Sequence, residues 1–112
     1  MSHIVTMQTQ FLSAEHLRRA CDKLKLPKPV QTGKMLRVQI DPGRSWVGFS
    51  VDTETGNASY DGDYEIQRNP VFGELNMRYG LERAIDQAAA LGHTCEEMKC
   101  EDGTIDLLVY AN

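Results

Sequence analysis

Hydrophobic residues first alternate along this chain and then settle into helical spacing. In "HIVTMQTQF", residues 3–11, Val5, Met7 and Phe11 share one face of an extended segment while Thr6, Gln8 and Gln10 share the other, the period-two pattern of a strand. Ser13 then stands where a helix cap is expected. Leu17, Ala20, Cys21 and Leu24 follow at i, i+3, i+4 and i+7, with Pro27 and Pro29 predicted to end the helix. Alternation returns in "MLRVQI", residues 35–40, with Leu36, Val38 and Ile40 on one face, and "DPGRS" makes a turn into "WVGFSV", where Val47, Phe49 and Val51 repeat the pattern. After the turn-forming "DTETGN", the segment "ASYDGDYEI" reads as a fourth, irregular strand, with Gly62 permitting a bulge.

The longest regular segment runs from Gly73 to Leu91. Met77, Leu81, Ala84, Ile85, Ala88 and Leu91 make one apolar stripe, and Gly92 marks the stop. The end, "TCEEMKCEDGTIDLLVYA", reads as a hairpin with Asp102-Gly103 in its turn. Its last strand is apolar on both faces, which predicts a place at a sheet centre or under an oligomer contact. The predicted order is strand, helix, three strands, helix, two strands. That order implies an α+β fold in which two helices pack on one face of a largely antiparallel sheet of five to six strands, a ferredoxin-like arrangement in a single domain spanning residues 1–112.

A chain of 112 residues, 41% of them hydrophobic, is long enough to bury a core without a disulfide or metal staple. Three cysteines, Cys21, Cys95 and Cys100, are an odd number, and no N-terminal apolar stretch has the length of a signal peptide or membrane span. The expected setting is cytoplasmic or plastid stromal, with reduced thiols.

The net charge of −4 hides a segregation. Residues 18–44 carry eight basic side chains (Arg18, Arg19, Lys23, Lys25, Lys28, Lys34, Arg37 and Arg44) against Asp22 and Asp41, whereas residues 45–112 carry four basic and thirteen acidic ones. Two solvated surfaces of one fold would account for this. The sharper alternative is a basic face that docks an acidic partner or the acidic surface of a second copy. The face so predicted consists of Arg18, Arg19, Lys23, Lys25, Lys28, Arg37 and Arg44.

Candidate chemistry is sparse. The stretch "DTETGNASYDGDYEI", residues 52–66, holds five carboxylates, yet as a calcium loop counted from Asp61 it has Ile66 where glycine is needed and Phe72 where a bidentate Glu is needed. Strand and turn account for it better. Cys95 and Cys100 have opposite strand parity, poor geometry for a shared metal, and His3, His16 and His93 are scattered, with no adjacent nucleophile. His16, in the first turn of a helix, is expected to face solvent. No metal and no cofactor is predicted. No glycine loop has nucleotide-binding spacing. Trp46, Phe49, Tyr60 and Tyr64 beside the basic segment could stack single-stranded bases, although the pI near 5.3 and the lack of an RNA-recognition signature argue against it.

Several segments together resemble a known family. The start "MSH", the hairpin "VGFSVDTETGNASYDGDYEI", the helix entry "MRYGLERAIDQAAALGHT" and the closing "EDGTIDLLV" are similar to the small plastid and cyanobacterial family labelled hypothetical chloroplast open reading frame thirty-five. The similarity spans most of the chain and is clearest in its C-terminal half. Lys25–Arg44 departs from the family pattern, and His93 stands where the family usually has an aromatic residue. The resemblance implies an accessory role beside a ring-forming AAA-type ATPase, because the family's genes often lie near one; it supplies no site residues.

The sequence therefore predicts a small non-enzymatic module that docks a protein partner, an AAA-type ATPase by the resemblance, and self-associates. The competing reading is a ligand binder or enzyme with a pocket between sheet and helix, to which Asp61, Asp63, Tyr79 and His93 contribute polar groups. A third is a single-stranded nucleic-acid binder.

Overall fold

The computed structural model describes residues 4–61 and 66–111. In order, its elements are β1 (Ile4–Gln10), α1 (Ala14–Lys23), β2 (Val30–Thr32), β3 (Met35–Gln39), β4 (Gly48–Asp52), β5 (Asn57–Asp61), a 3-10 turn at Ile66–Arg68, α2 (Pro70–Ala90), β6 (Thr94–Lys99) and β7 (Ile105–Tyr110). The fold is α+β with two helices and antiparallel ladders throughout, ferredoxin-like in the broad sense that helices cover one face of an antiparallel sheet. Two compact units make it up, residues 1–79 and 80–112, with the division inside α2.

The first unit holds a five-stranded sheet in the order β1-β5-β4-β3-β2. Strands β2 to β5 form a meander, and α1 carries the chain from the β1 edge to the β2 edge across one face. That face is apolar because the alternation is strict. Leu36 and Val38, Phe49 and Val51, and Ala58 and Tyr60 are buried, while Met35, Arg37, Gln39, Ser50, Asp52, Ser59 and Asp61 are half-buried on the other side. Leu17, Ala20 and Cys21 of α1 and Phe72, Leu75 and Tyr79 of α2 close the core over it. A bulge between Thr6 and Gln10 shifts the β1–β5 register, and Met7 and Phe11 still reach the core.

Four aromatic rings form the centre. Phe11 stacks on Phe49 at 5.4 Å between centroids and meets Tyr79 edge-on at 5.1 Å and Phe72 at 6.4 Å, while Phe49 meets Phe72 edge-on at 5.4 Å. Stacked and edge-to-face pairs of this kind add about 0.5–1.5 kcal/mol each beyond area burial. The Phe11 N–H donates to the Gly56 carbonyl at 2.8 Å, and Gly56 sits at φ +80° so close to Phe11 and Leu12 that a Cβ there would strike them.

Both helices differ in detail from expectation. α1 begins as predicted, the Ser13 hydroxyl accepting the His16 N–H at 3.3 Å, but stops before the prolines. Lys25 takes a left-handed φ of 58°, its N–H donating to the Asp22 carbonyl at 3.1 Å while the Leu26 N–H donates to the Cys21 carbonyl at 2.9 Å. Those two bonds make a Schellman stop without glycine. α2 starts three residues earlier than Gly73, at Pro70, because the Asn69 side chain accepts the Val71 N–H at 2.9 Å and proline suits the first helical position. Its buried residues in the first unit are Phe72, Leu75 and Tyr79, whereas Met77 and Leu91 of the expected stripe are exposed.

The second unit holds the C-terminal half of α2 and the β6–β7 hairpin. Gly92, at φ +77°, ends α2 where expected, with the His93 N–H donating to the Ala88 carbonyl at 3.0 Å. The hairpin turn is the predicted Asp102-Gly103, and the Asp102 carboxylate accepts both the N–H and the hydroxyl of Thr104. The expected sheet-centre position of the last strand is not realised among the described residues, where β7 pairs with β6 alone in a two-stranded sheet. The bulge expected at Gly62 lies outside the described residues, as does His3. Among the described residues no helix is long and apolar enough to cross a membrane.

Because Phe11 touches three other rings, Phe11→Ala should cost about 3–5 kcal/mol of unfolding free energy. Leu12→Ala, at an exposed neighbour, should cost about 0.5 kcal/mol or less. Urea denaturation of both variants checks the difference; equal losses would contradict a core centred on Phe11.

Candidate functional site

The chain that leaves the Lys25 turn runs back beside α1, and a cleft opens between the two. It has a volume of about 430 Å³ and is lined by Arg18, Arg19, Asp22, Leu26, Lys28 and Pro29. Helical spacing explains the lining. Arg18 and Asp22 are one turn apart on α1, and Arg19 lies beside them on the flank of the stripe formed by Leu17, Ala20 and Cys21. Leu26 is drawn against the core by the Schellman turn.

The cations of the cleft differ in exposure. Arg18 is exposed and its Nη2 donates at 2.6 Å to the side-chain Oε1 of Gln31 on β2, while the Nε2 of Gln31 donates to the Gly33 carbonyl at 3.2 Å. Gln31 stands opposite Leu36 in the ladder, so it points to the same face as α1. Lys28 is exposed; Arg19 is half-buried. Against the three cations stands one carboxylate, Asp22.

The remaining residues of the predicted basic face are not in this cleft. Lys23 and Lys25 are exposed on α1 and its turn. Arg37 alternates with the core residues Leu36 and Val38, hence faces the opposite side of the sheet, where it donates to the Trp46 and Ser45 carbonyls at 3.1 and 3.5 Å. Partial burial there lowers its pKa. Arg44 is bound to Asp41 at 2.7 Å, and this guanidinium holds the Asp41 carboxyl below the usual range. Lys34 pairs with Asp52 at 3.4 Å. The Asp52 carboxyl is also lowered, chiefly by the Glu54 N–H it accepts.

Of the residues named for the alternative pocket, Asp61 and Tyr79 are not brought together. Asp61 follows Tyr60 on β5 and so lies on the sheet face away from the core, whereas Tyr79 is buried within it, its hydroxyl accepting the Ser13 N–H at 3.1 Å. His93 belongs to the second unit, and Asp63 lies outside the described residues. Of the four aromatic residues named for base stacking, Phe49 and Tyr60 are core residues, Trp46 is exposed, and Tyr64 is outside the described residues. His16 is half-buried, and its Nδ1 hydrogen bonds the Ser13 hydroxyl, where a solvent-facing ring was expected. Among the described residues no group of three His, Cys, Asp or Glu side chains could hold a metal ion.

Of the thiols, Cys21 is in the core, where burial pushes its pKa up to about 11, and Cys95 and Cys100 are half-buried, Cys100 donating to the Asp106 carboxylate at 3.4 Å. No family model matches the chain, and no curated protein or solved structure matches it either.

Two outcomes follow for these residues. A raised pKa leaves roughly a thousandth of Cys21 as thiolate at pH 8, so a thiol reagent should label Cys95 and Cys100 in the native protein and Cys21 only after denaturation. Rapid native labelling of Cys21, read by mass spectrometry of peptides, would contradict its placement. Tyr79→Phe removes the acceptor of the Ser13 N–H and should cost about 1–2 kcal/mol in a denaturation experiment.

Proposed function

We propose that this protein is a small non-enzymatic interaction module that docks an acidic segment of a protein partner in the cleft beside α1. The observation that carries the reading is the convergence of Arg18, Arg19 and Lys28 around an apolar wall of Leu26 and Pro29, with Asp22 the one acidic side chain in the lining. Such a lining suits a peptide in which carboxylates flank an aliphatic residue. Guanidinium groups take the carboxylates in charge-assisted hydrogen bonds, and the apolar wall takes the side chain between them. The segregation of charge along the chain adds long-range attraction for the same kind of partner.

The likeness of "RYGLERAIDQAAALGHT" and "EDGTIDLLV" to the plastid and cyanobacterial family supports membership of that family. With it come an AAA-type ATPase as the partner and a cytoplasmic or stromal setting. Membership remains part of the proposal, resting on these segments alone.

The test uses Arg18→Glu combined with Lys28→Glu. Both side chains are exposed, so reversal should change folding stability by no more than about 1 kcal/mol. Arg19 is left intact because it is half-buried, and its reversal would confuse docking with folding. Fluorescence anisotropy with a labelled Asp/Glu-Leu peptide should show saturable binding that weakens with salt and falls at least about tenfold in the double variant, a loss of about 1.4 kcal/mol. Equal binding by wild type and variant would refute the cleft as the docking site.

A further inference from the structure

We propose that the outer edge of β7 pairs with β7 of a second copy, antiparallel about a two-fold axis through Leu108, to form a four-stranded intermolecular sheet. The inference stands on the second unit alone and is independent of the cleft.

Four observations carry it. β7 has a ladder partner on one side only, so the N–H and C=O groups of its other edge have no sheet partner among the described residues. Large apolar side chains are exposed there: Leu108 is 38% exposed, Val109 49% and Tyr110 49%, beside Met98 of β6 at 51%. The strand carries no lysine, arginine or proline, the usual guards of an open edge; Asp106 is its one charge. A two-stranded ribbon is also marginal by itself, and further strands are the common way to stabilise it.

The phase of the ladder then selects the register. The Cys100 N–H donates to the Thr104 carbonyl at 2.8 Å, which makes that pair hydrogen-bonded. Alternation outward from it makes Met98–Asp106, Glu96–Leu108 and Thr94–Tyr110 the hydrogen-bonded pairs. Ile105, Leu107 and Val109 therefore turn their N–H and C=O groups to the open edge. Two copies related through Leu108 set Leu107 against Val109 of the other copy in hydrogen-bonded pairs, and Leu108 against itself in a close non-hydrogen-bonded pair.

Charge is compatible with this register and selects it over a neighbouring one. The second unit is acidic, with seven carboxylates against Arg83 and Lys99, so a self-contact must keep like charges apart. With the axis at Leu108, Asp106 faces Tyr110 of the second copy, whose hydroxyl donates to Glu96 of its own chain at 3.1 Å, so the two Asp106 carboxylates stand four residues apart along the strands and the acidic turns at Glu101-Asp102 lie at opposite ends of the sheet. Moving the axis to Leu107 would place Asp106 against Leu108 and bring the two Asp106 carboxylates within two residues of each other along the strands, a like-charge approach that the Leu108 axis avoids.

Sedimentation velocity across the micromolar range should show a reversible dimer for the wild type. Leu108→Lys, which would oppose two lysines on the axis, should weaken it at least about tenfold while circular dichroism shows an unchanged fold. A second pair of variants reads the register even if that one misfolds. In a Cys95→Ser, Cys100→Ser background, Leu108→Cys should form an intermolecular disulfide under mild oxidation much faster than Met98→Cys, although Met98, on β6, is the more exposed of the two. A wild type that stays monomeric, a dimer indifferent to Leu108→Lys in the folded variant, or cross-linking at Met98→Cys as fast as at Leu108→Cys would each overturn the proposal. None of these results would touch peptide docking in the cleft.

Discussion

The contact on which the first unit depends is that of the Phe11 ring with Phe49 and Tyr79. Phe11 directly follows β1; Phe49 is on β4, the central strand of the five; Tyr79 comes from α2. One ring thus joins a strand terminus, the sheet centre and a helix distant in sequence. The same tyrosine accepts the Ser13 N–H, and Ser13 caps α1. The position of α1 over the sheet is therefore fixed from the core at its N-terminus. The three buried residues Leu17, Ala20 and Cys21 then set which side of the helix faces out. Arg18, Arg19 and Asp22 reach the cleft because of that rotation.

The other wall of the cleft depends on a turn made at some cost. A non-glycine residue in the left-handed region costs about 1 kcal/mol or more relative to the right-handed one, and Lys25 occupies it at φ 58°. Two backbone hydrogen bonds from Lys25 and Leu26, together with burial of Leu26 against the core, offset that cost. Had the helix continued to Pro27, Leu26 would have stayed on the helical spiral, and Lys28 and Pro29 would have pointed along the axis rather than back beside α1.

How much of this could be read beforehand depends on whether the signal is local. Strand alternation in 35–40 and 46–51, the Ser13 cap, the Gly92 stop and the Asp102-Gly103 turn are local signals, and each stands where the pattern puts it. The missed elements needed something else. β2 is three exposed residues, "VQT", with no apolar alternation, and it becomes a strand only because β3 offers an edge. The α2 start lay in "NP", a cap and first-position proline outranked by a later apolar stripe. Lys25 gave no sign, since glycine or asparagine is the usual residue there. For the basic face, Arg37 could have been excluded from the sequence alone: it alternates with Leu36 and Val38, so any face that includes α1 excludes it. The pocket reading of Asp61, Asp63, Tyr79 and His93 joined residues by polarity without a geometric rule, and Asp61 and Tyr79 end up on opposite sides of the sheet.

Formal charge also overstates the basic character of residues 18–44, and the correction makes the site more specific. Arg44 and Lys34 have carboxylate partners, and Arg37 spends its guanidinium on two backbone carbonyls. Cations paired with a carboxylate attract little at a distance, and Arg37, which keeps its charge, lies on the opposite face of the sheet from α1. Arg18 is different, because its short hydrogen bond goes to a neutral amide, which orients the guanidinium without cancelling its charge. An oriented, uncompensated arginine at the mouth of a cleft is already placed for a carboxylate, so less side-chain freedom is lost when one binds. The orientation in turn needs Gln31, hence β2, hence the turn at Lys25 that brings the chain to that edge. The same unguided residues that sequence pattern could not place are the ones that hold Arg18 in position.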